Sequence, residues 1–159
     1  MKRNIYIDFG YLITIAATFG AVLTLGAIVA PVVFQTDKLG LSVLIDTYNA
    51  GIIMGTIFKH FSYWLDFLIV YVAFYEMIEY KTLQRDRIAI LSAIAVLFTS
   101  LMFNGVYLPK ILALQDMGVD ATKSNTFDTF HMASEWDFKI LAIALFILFI
   151  RRLMLLKRS

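Results

Sequence analysis

The sequence predicts an all-α integral membrane protein: a four-helix bundle with both termini cytoplasmic and an extra interfacial helix between helices 1 and 2. Three observations predict it. First, residues 9–36 and 88–109 contain no charged side chain, and a helix of about 20 mostly apolar residues is long enough to cross the hydrocarbon core. Second, charged residues make up 16% of the chain and hydrophobic residues 60%, against about a quarter and about half in soluble domains. Third, lysine and arginine divide unevenly between the two sides of such a bundle. With both ends and the 81–87 turn inside, Lys2, Arg3, Lys81, Arg85, Arg87, Arg151, Arg152, Lys157 and Arg158 fall on one side. Lys38, Lys59, Lys110, Lys123 and Lys139 fall on the other, so every arginine is inside, as the positive-inside rule expects of a multi-pass protein of the bacterial inner membrane.

The chain is read as one transmembrane domain, residues 1–159, with spans at about 11–34, 61–80, 88–108 and 131–150. Helix 1 is rich in small residues (Ala16, Ala17, Gly20, Ala21, Gly26, Ala27), which let a neighbouring helix approach closely. Pro31 comes near its end, where a kink or stop costs little. Lys2 and Arg3 before an apolar run resemble a secretory leader. The run is longer than a leader's apolar core, however, and Pro31 directly follows the cleavage-like Ala27–Ala30, so an uncleaved helix is expected.

Residues 41–58 are apolar but interrupted by Asp46 and Asn49, and Lys59 and His60 follow. They are expected to lie in the interface or to pack on the bundle, with Gly51 and Gly55 forming a weak GxxxG packing signal. Helix 2 carries Tyr63, Trp64, Tyr71, Tyr75 and Tyr80, several at interface levels. Helix 3 is expected to stop at Pro109, residues 110–126 to form a polar loop, and helix 4 to follow. No internal repeat stands out.

Several function classes are excluded or disfavoured. Without cysteine there is no disulfide, thiolate metal site or redox thiol. The net charge of +2 is not gathered into a patch, so nucleic acid is not an expected partner. Met54, Met77, Met102, Met117, Met132 and Met154 are scattered, where soft copper ligation needs a cluster. No phosphate loop, nucleophile elbow or paired-carboxylate hydrolase pattern is present, so an enzyme is the least expected class.

The candidate site comes from helical spacing. His131, Glu135 and Lys139 recur every four residues, with Asp128 three before the histidine, and form one polar stripe at the outer mouth of helix 4. Lys59, Ser62 and Asp66 share a face of helix 2 at the same level, beside His60. A carboxylate in hydrocarbon costs at least ~2.5 kcal/mol on insertion scales and normally faces the bundle interior with a partner. His60, Asp66, His131 and Glu135 are therefore expected to line an outward-open cavity between helices 2 and 4, which Asn104 can join.

Imidazole and carboxylate together suit a divalent metal ion, with His131 and Glu135 as first ligands and His60 or Asp66 completing the set. His60 and His131 on facing helices can instead hold a haem iron axially. The structural alternative pairs Glu135 with Lys139 and Asp66 with Lys59 while the histidines reach for the surface. Glu76 and Glu79 have Lys81 and Arg85 within reach and are read as structural.

Four stretches carry a resemblance. They are GAVLTLGAIVAPVVF with Pro31 and Phe34, AGIIMGTIF with Gly51, Gly55 and Phe58, YLPKILAL with Pro109, and FDTFHMASEW with Phe127, Phe130, His131 and Ser134. Over about residues 12–150 the chain resembles the small bacterial four-helix membrane domain of unknown function related to transmembrane protein 205. The resemblance implies a four-helix membrane bundle without an established reaction. Eukaryotic relatives are linked to tolerance of platinum drugs, which implies handling of metals or metal complexes.

Three functions fit these residues. The first is an inner-membrane protein with an outward-facing His/carboxylate site for a metal ion or haem. The second is a non-catalytic accessory or scaffold subunit of a larger membrane complex, packing through the small-residue face of helix 1. The third is a small oligomeric efflux or transport protein. The expected partners are the lipid bilayer and a homo-oligomer or larger membrane complex.

Overall fold

A computed structural model describes residues 5–35, 38, 40, 45–81 and 86–158. The described residues contain helices and no strand. The chain begins with α1 (Ile5–Thr24), a π turn (Leu25–Val29) and α2 (Ala30–Phe34). The long helix α3 (Thr47–Lys81) follows, then α4 (Arg87–Met102), a second π turn (Phe103–Tyr107) and α5 (Leu108–Asp116). The short α6 (Val119–Thr122) leads into α7 (Asn125–Arg158). Three helical units, Ile5–Phe34, Thr47–Lys81 and Arg87–Asp116, are long and apolar enough to cross a membrane. The fourth, α7, is also long, but Glu135, Asp137 and Lys139 before residues 140–150 and Arg151, Arg152 and Lys157 after them shorten its uncharged stretch.

Pro31 lies near the end of its helix as expected, whereas Pro109 acts differently from the sequence expectation, and both are accommodated in one way. Proline lacks an N–H, and its ring clashes with the carbonyl four residues back. Each helix absorbs this by widening one turn. The Ala30 N–H donates to the Leu25 carbonyl just before Pro31, and the Leu108 N–H donates to the Phe103 carbonyl just before Pro109. The extra residue in the turn relieves the clash, so the helix runs on. Helix 3 therefore does not stop at Pro109, and the polar loop expected over 110–126 is largely helical. The turn out of α5 is made at Gly118, whose φ of +99° disfavours any side chain.

The segment read as a separate interfacial helix over 41–58 is corrected as well. Residues 41–44 lie outside the described residues, and from Thr47 the chain is the start of α3, continuous to Lys81. Asp46, read as an interruption, caps this helix: its Oδ1 accepts from the Asn49 N–H at 2.8 Å. The GxxxG pair makes a close contact with α5. A Cβ on Gly55 would lie 2.6 Å from Gln115 Oε1 and 2.9 Å from Leu112 Cδ2. Beside it the Tyr48 hydroxyl donates to the Gln115 carbonyl at 2.9 Å.

The core follows the helical period: Tyr11, Ile15, Thr18 and Val22 on α1, Leu65, Leu68 and Val72 on α3, and Leu141, Leu145 and Leu148 on α7. On α4 the buried face is small (Ala89, Ser92, Ala93, Thr99, Ser100), which brings α4 close against α7. Phe138 meets Phe58 and Phe103 with ring centroids 5.4 and 5.3 Å apart. Large apolar side chains such as Phe67, Phe74, Leu91 and Phe98 cover the outer faces, as lipid contact requires.

Candidate functional site

The four residues singled out in the sequence separate into two pairs of surroundings. On α7, His131 Nε2 lies 3.4 Å from Glu135 Oε1, and Lys139 Nζ lies 3.7 Å from Glu135 Oε2. These side chains are 45%, 53% and 59% exposed, so the stripe stands on the outside of the bundle rather than in a cavity. The ring of Phe127 stacks against His131, and Lys139 lies over Trp136. On α3, Asp66 accepts from Asn104 Nδ2 at 2.8 Å, and the same amide reaches the Ser62 carbonyl at 2.8 Å. Asn104 thus joins Asp66 as anticipated, while Lys59 is not the partner found for it. His60 is exposed and bonds through Nδ1 to the Thr56 carbonyl one turn back, at 2.9 Å. Among the described residues no group of three or more His, Asp or Glu side chains is arranged to hold a metal ion. Only His131 and Glu135 of the expected ligand set approach one another.

A larger polar assembly lies at the opposite end of the helices, and its centre was not anticipated. Arg152, 3% exposed, binds both Glu76 and Glu79 on α3. Its Nε donates to Glu76 Oε1 at 2.9 Å, its Nη2 to Glu76 Oε2, and its Nη1 to Glu79 Oε2 at 3.2 Å. The two-pronged contact to Glu76 uses the planar fork that lysine lacks. Tyr11 on α1 donates to Glu76 Oε1 at 2.7 Å, and Tyr75 on α3 donates to Asp8 Oδ1 on α1 at 2.6 Å. The two tyrosine rings stack with centroids 3.6 Å apart, and the guanidinium carbon lies 5.4 Å from the Tyr75 centroid. Three helices are thereby tied together by buried charge.

One signal in the sequence reaches these residues. Arg152 falls in step with Leu141, Leu145 and Leu148, Glu79 with Leu68, Val72 and Tyr75, and Asp8 with Tyr11, Ile15 and Val22. A charge in phase with a buried apolar stripe must find a partner across the bundle. Of Lys81 and Arg85, the sequence neighbours expected within reach of Glu76 and Glu79, Arg85 lies outside the described residues. The buried partner is Arg152, a whole span away.

Next to this assembly Asp86 joins α4 to α7. Its carboxylate caps α4 by accepting from the Ala89 N–H at 2.9 Å. It also takes Arg151 in a two-pronged pair at 2.9 and 2.6 Å. The Arg151 hydrogen bond, helped by the Ala89 N–H, holds the Asp86 carboxyl below its usual range, at about 2.

The apolar helices and the charges locked between them define a helical membrane protein. Within that class, the family model for "Domain of unknown function (DUF4149)" matches residues 13–120, and the chain belongs to that family. The match covers Glu76, Glu79 and Asn104. It ends before α7, so His131, Glu135 and Arg152 lie beyond it. No curated protein and no solved structure matches the chain.

Proposed function

We propose that the chain is a non-catalytic accessory or scaffold subunit of a membrane assembly, with α7 as a fourth span and both ends on the basic, cytoplasmic side. The observation that carries this reading is the Arg152 assembly. Its buried charge is engaged in tying α1, α3 and α7 into a fixed unit, a use suited to holding helices rather than to turning over a substrate. A second feature agrees with it. The face of α1 bearing Ala16, Ala17, Gly20 and Thr24, continued by Ala27 of the π turn, is exposed, and a Cβ on Gly20 would meet nothing within 4 Å. Small residues at a lipid-facing position give another transmembrane helix a place to pack backbone to backbone. A photo-reactive residue at Ala17, compared with one at Phe74 in intact membranes, tests the reading. Protein adducts from Ala17 and lipid adducts from Phe74 are expected; lipid adducts alone from both positions overturn it.

A second reading keeps a divalent metal ion at the rim, supported by the His131–Glu135 approach. Two side chains leave the remaining coordination to water or to another chain. Elemental analysis and an absorption spectrum of the purified protein, beside His131→Ala and Glu135→Ala, separate the cases. Metal or a haem band near one per chain, lost in both variants, supports a ligand site, whereas an empty parent removes it.

A further inference from the structure

Asp137 is an acid that the fold buries and leaves alone. It falls in step with Ser134, Leu141, Ala144 and Leu148 on the buried face of α7 and is 7% exposed, as deeply covered as Glu79. Glu79 lies against the Arg152 guanidinium. Asp137 Oδ2, by contrast, is buried without a hydrogen-bond partner, and among the described residues no ion pair or hydrogen bond engages the carboxyl. The Ser134 hydroxyl, one turn earlier, donates to the His131 carbonyl instead.

The elements packed on α7 bring no cation to it. Residues 9–36 and 88–109, which hold α4, both π turns and most of α1, carry no charged side chain. Asp8 and Asp86, at the opposite end, are bonded to Tyr75 and Arg151, and Arg87 beside them is exposed. From α3, Phe58 and Phe61 pack on the neighbouring Phe138. Lys59 and His60 of that helix are exposed, and its Asp66 bonds to Asn104. Lys110 of α5 lies over Phe130, two turns away along α7. Asp116 of α5, Asp120 of α6 and the following Lys123 are exposed. On α7 itself His131 and Lys139 both approach Glu135, while Asp128 is exposed. Arg151 and Arg152, about 20 Å further along the helix at 1.5 Å per residue, are held by Asp86 and by Glu76 and Glu79.

A carboxylate buried among such groups loses its hydration and gains neither cation nor donor. The group then neutralises rather than stay buried with its charge. Glu76 escapes this because the Arg152 fork and the Tyr11 hydroxyl both meet it. We propose that Asp137 is a proton-binding site, its carboxyl held inside the folded bundle as the neutral acid. Loss of that proton would leave an unpaired charge in the core, so proton occupancy and the seating of α7 are linked. The site is separate from the scaffold reading and stands or falls without it.

Infrared spectra of the purified full chain in detergent test the proposal at about pH 7, where an aspartate in water, with a pKa of about 3.9, is ionised. The parent should show the carbonyl stretch of a protonated carboxyl, absent from Asp137→Asn. Carboxyl-13C aspartate should shift that band in the parent, which keeps the test independent of how well the variant folds. Unfolding between about pH 5 and about pH 7 supplies a second readout. The unfolded chain has released this proton in that window and the folded chain keeps it, so the parent loses stability as pH rises, by about tenfold in the folding equilibrium per pH unit. Asp137→Asn, neutral throughout, should lack that slope and be at least as stable as the parent at about pH 7. Two results overturn the proposal: no aspartate-derived acid band in the parent, or an advantage of the parent over Asp137→Asn that grows with pH, the mark of a carboxylate held ionised.

Discussion

At one end of the bundle Arg152 is 3% exposed and grips Glu76 and Glu79 on another helix; at the other, His131, Glu135 and Lys139 stand about half exposed along a single helix. Both groups are ionic, and both look alike in the sequence as charges flanking apolar runs. Their energetic weight differs because solvent screens the second and is excluded from the first. Removing one member of a buried pair leaves an uncompensated charge and costs about 3–5 kcal/mol. An exposed pair one helical turn apart contributes about 0.3–0.5 kcal/mol. What joins residues distant in the chain carries the fold; what joins neighbours on one turn decorates it.

The sharpest way to break this contrast is Arg152→Ala, expected to cost about 3–5 kcal/mol by thermal or denaturant unfolding in detergent. Arg152→Met combined with Glu76→Gln and Glu79→Gln should recover much of the loss, because no buried charge is then left alone. A single variant as stable as the parent would sink the clamp.

Tyr75→Phe removes one hydroxyl that donates to Asp8 and keeps the ring stack; about 1–2 kcal/mol is expected to be lost. The same loss from Tyr71→Phe would show that the Asp8 bond is not the cause.

Asp86 lies between the two extremes. Asp86→Ala should cost about 1 kcal/mol through the lost helix cap, and the parent's stability should respond to acid. The folded chain holds this carboxyl at about 2, below its ordinary 3.8, so the unfolded chain takes up the proton first. The stabilisation is complete above about 4 and drains away as pH falls toward 2. A pH titration of unfolding, in which Asp86→Ala flattens the acid limb over that window, checks the sign.

The smallest effect is expected from His131→Ala, under about 0.5 kcal/mol, since the ring is half exposed. A loss comparable to Arg152→Ala would mean that the two ends are equivalent after all.

Much of the architecture was legible. The uncharged runs marked α1 and α4, and the apolar stretches 61–80 and 131–150 fall within α3 and α7. The boundary at Pro109 was not legible, because a π turn depends on where the displaced carbonyl can go. Asp46 and Asn49 looked like interruptions of an interfacial segment when Asp46 is the cap of α3. Of the candidate site, the His131–Glu135–Lys139 ladder and the Asn104–Asp66 bond were readable from spacing and level. The Arg152 assembly is not legible from neighbours in the chain, because Glu76 and Arg152 are 76 residues apart.

By itself the sequence determined that the chain is helical, apolar and long enough to cross a membrane several times, because hydropathy and helical period are local properties. Which charges are buried and which are wet was decided only by the tertiary structure. The environment of a side chain depends on what the other helices bring to the same level, as Arg152 meets Glu76 and Glu79 from another helix.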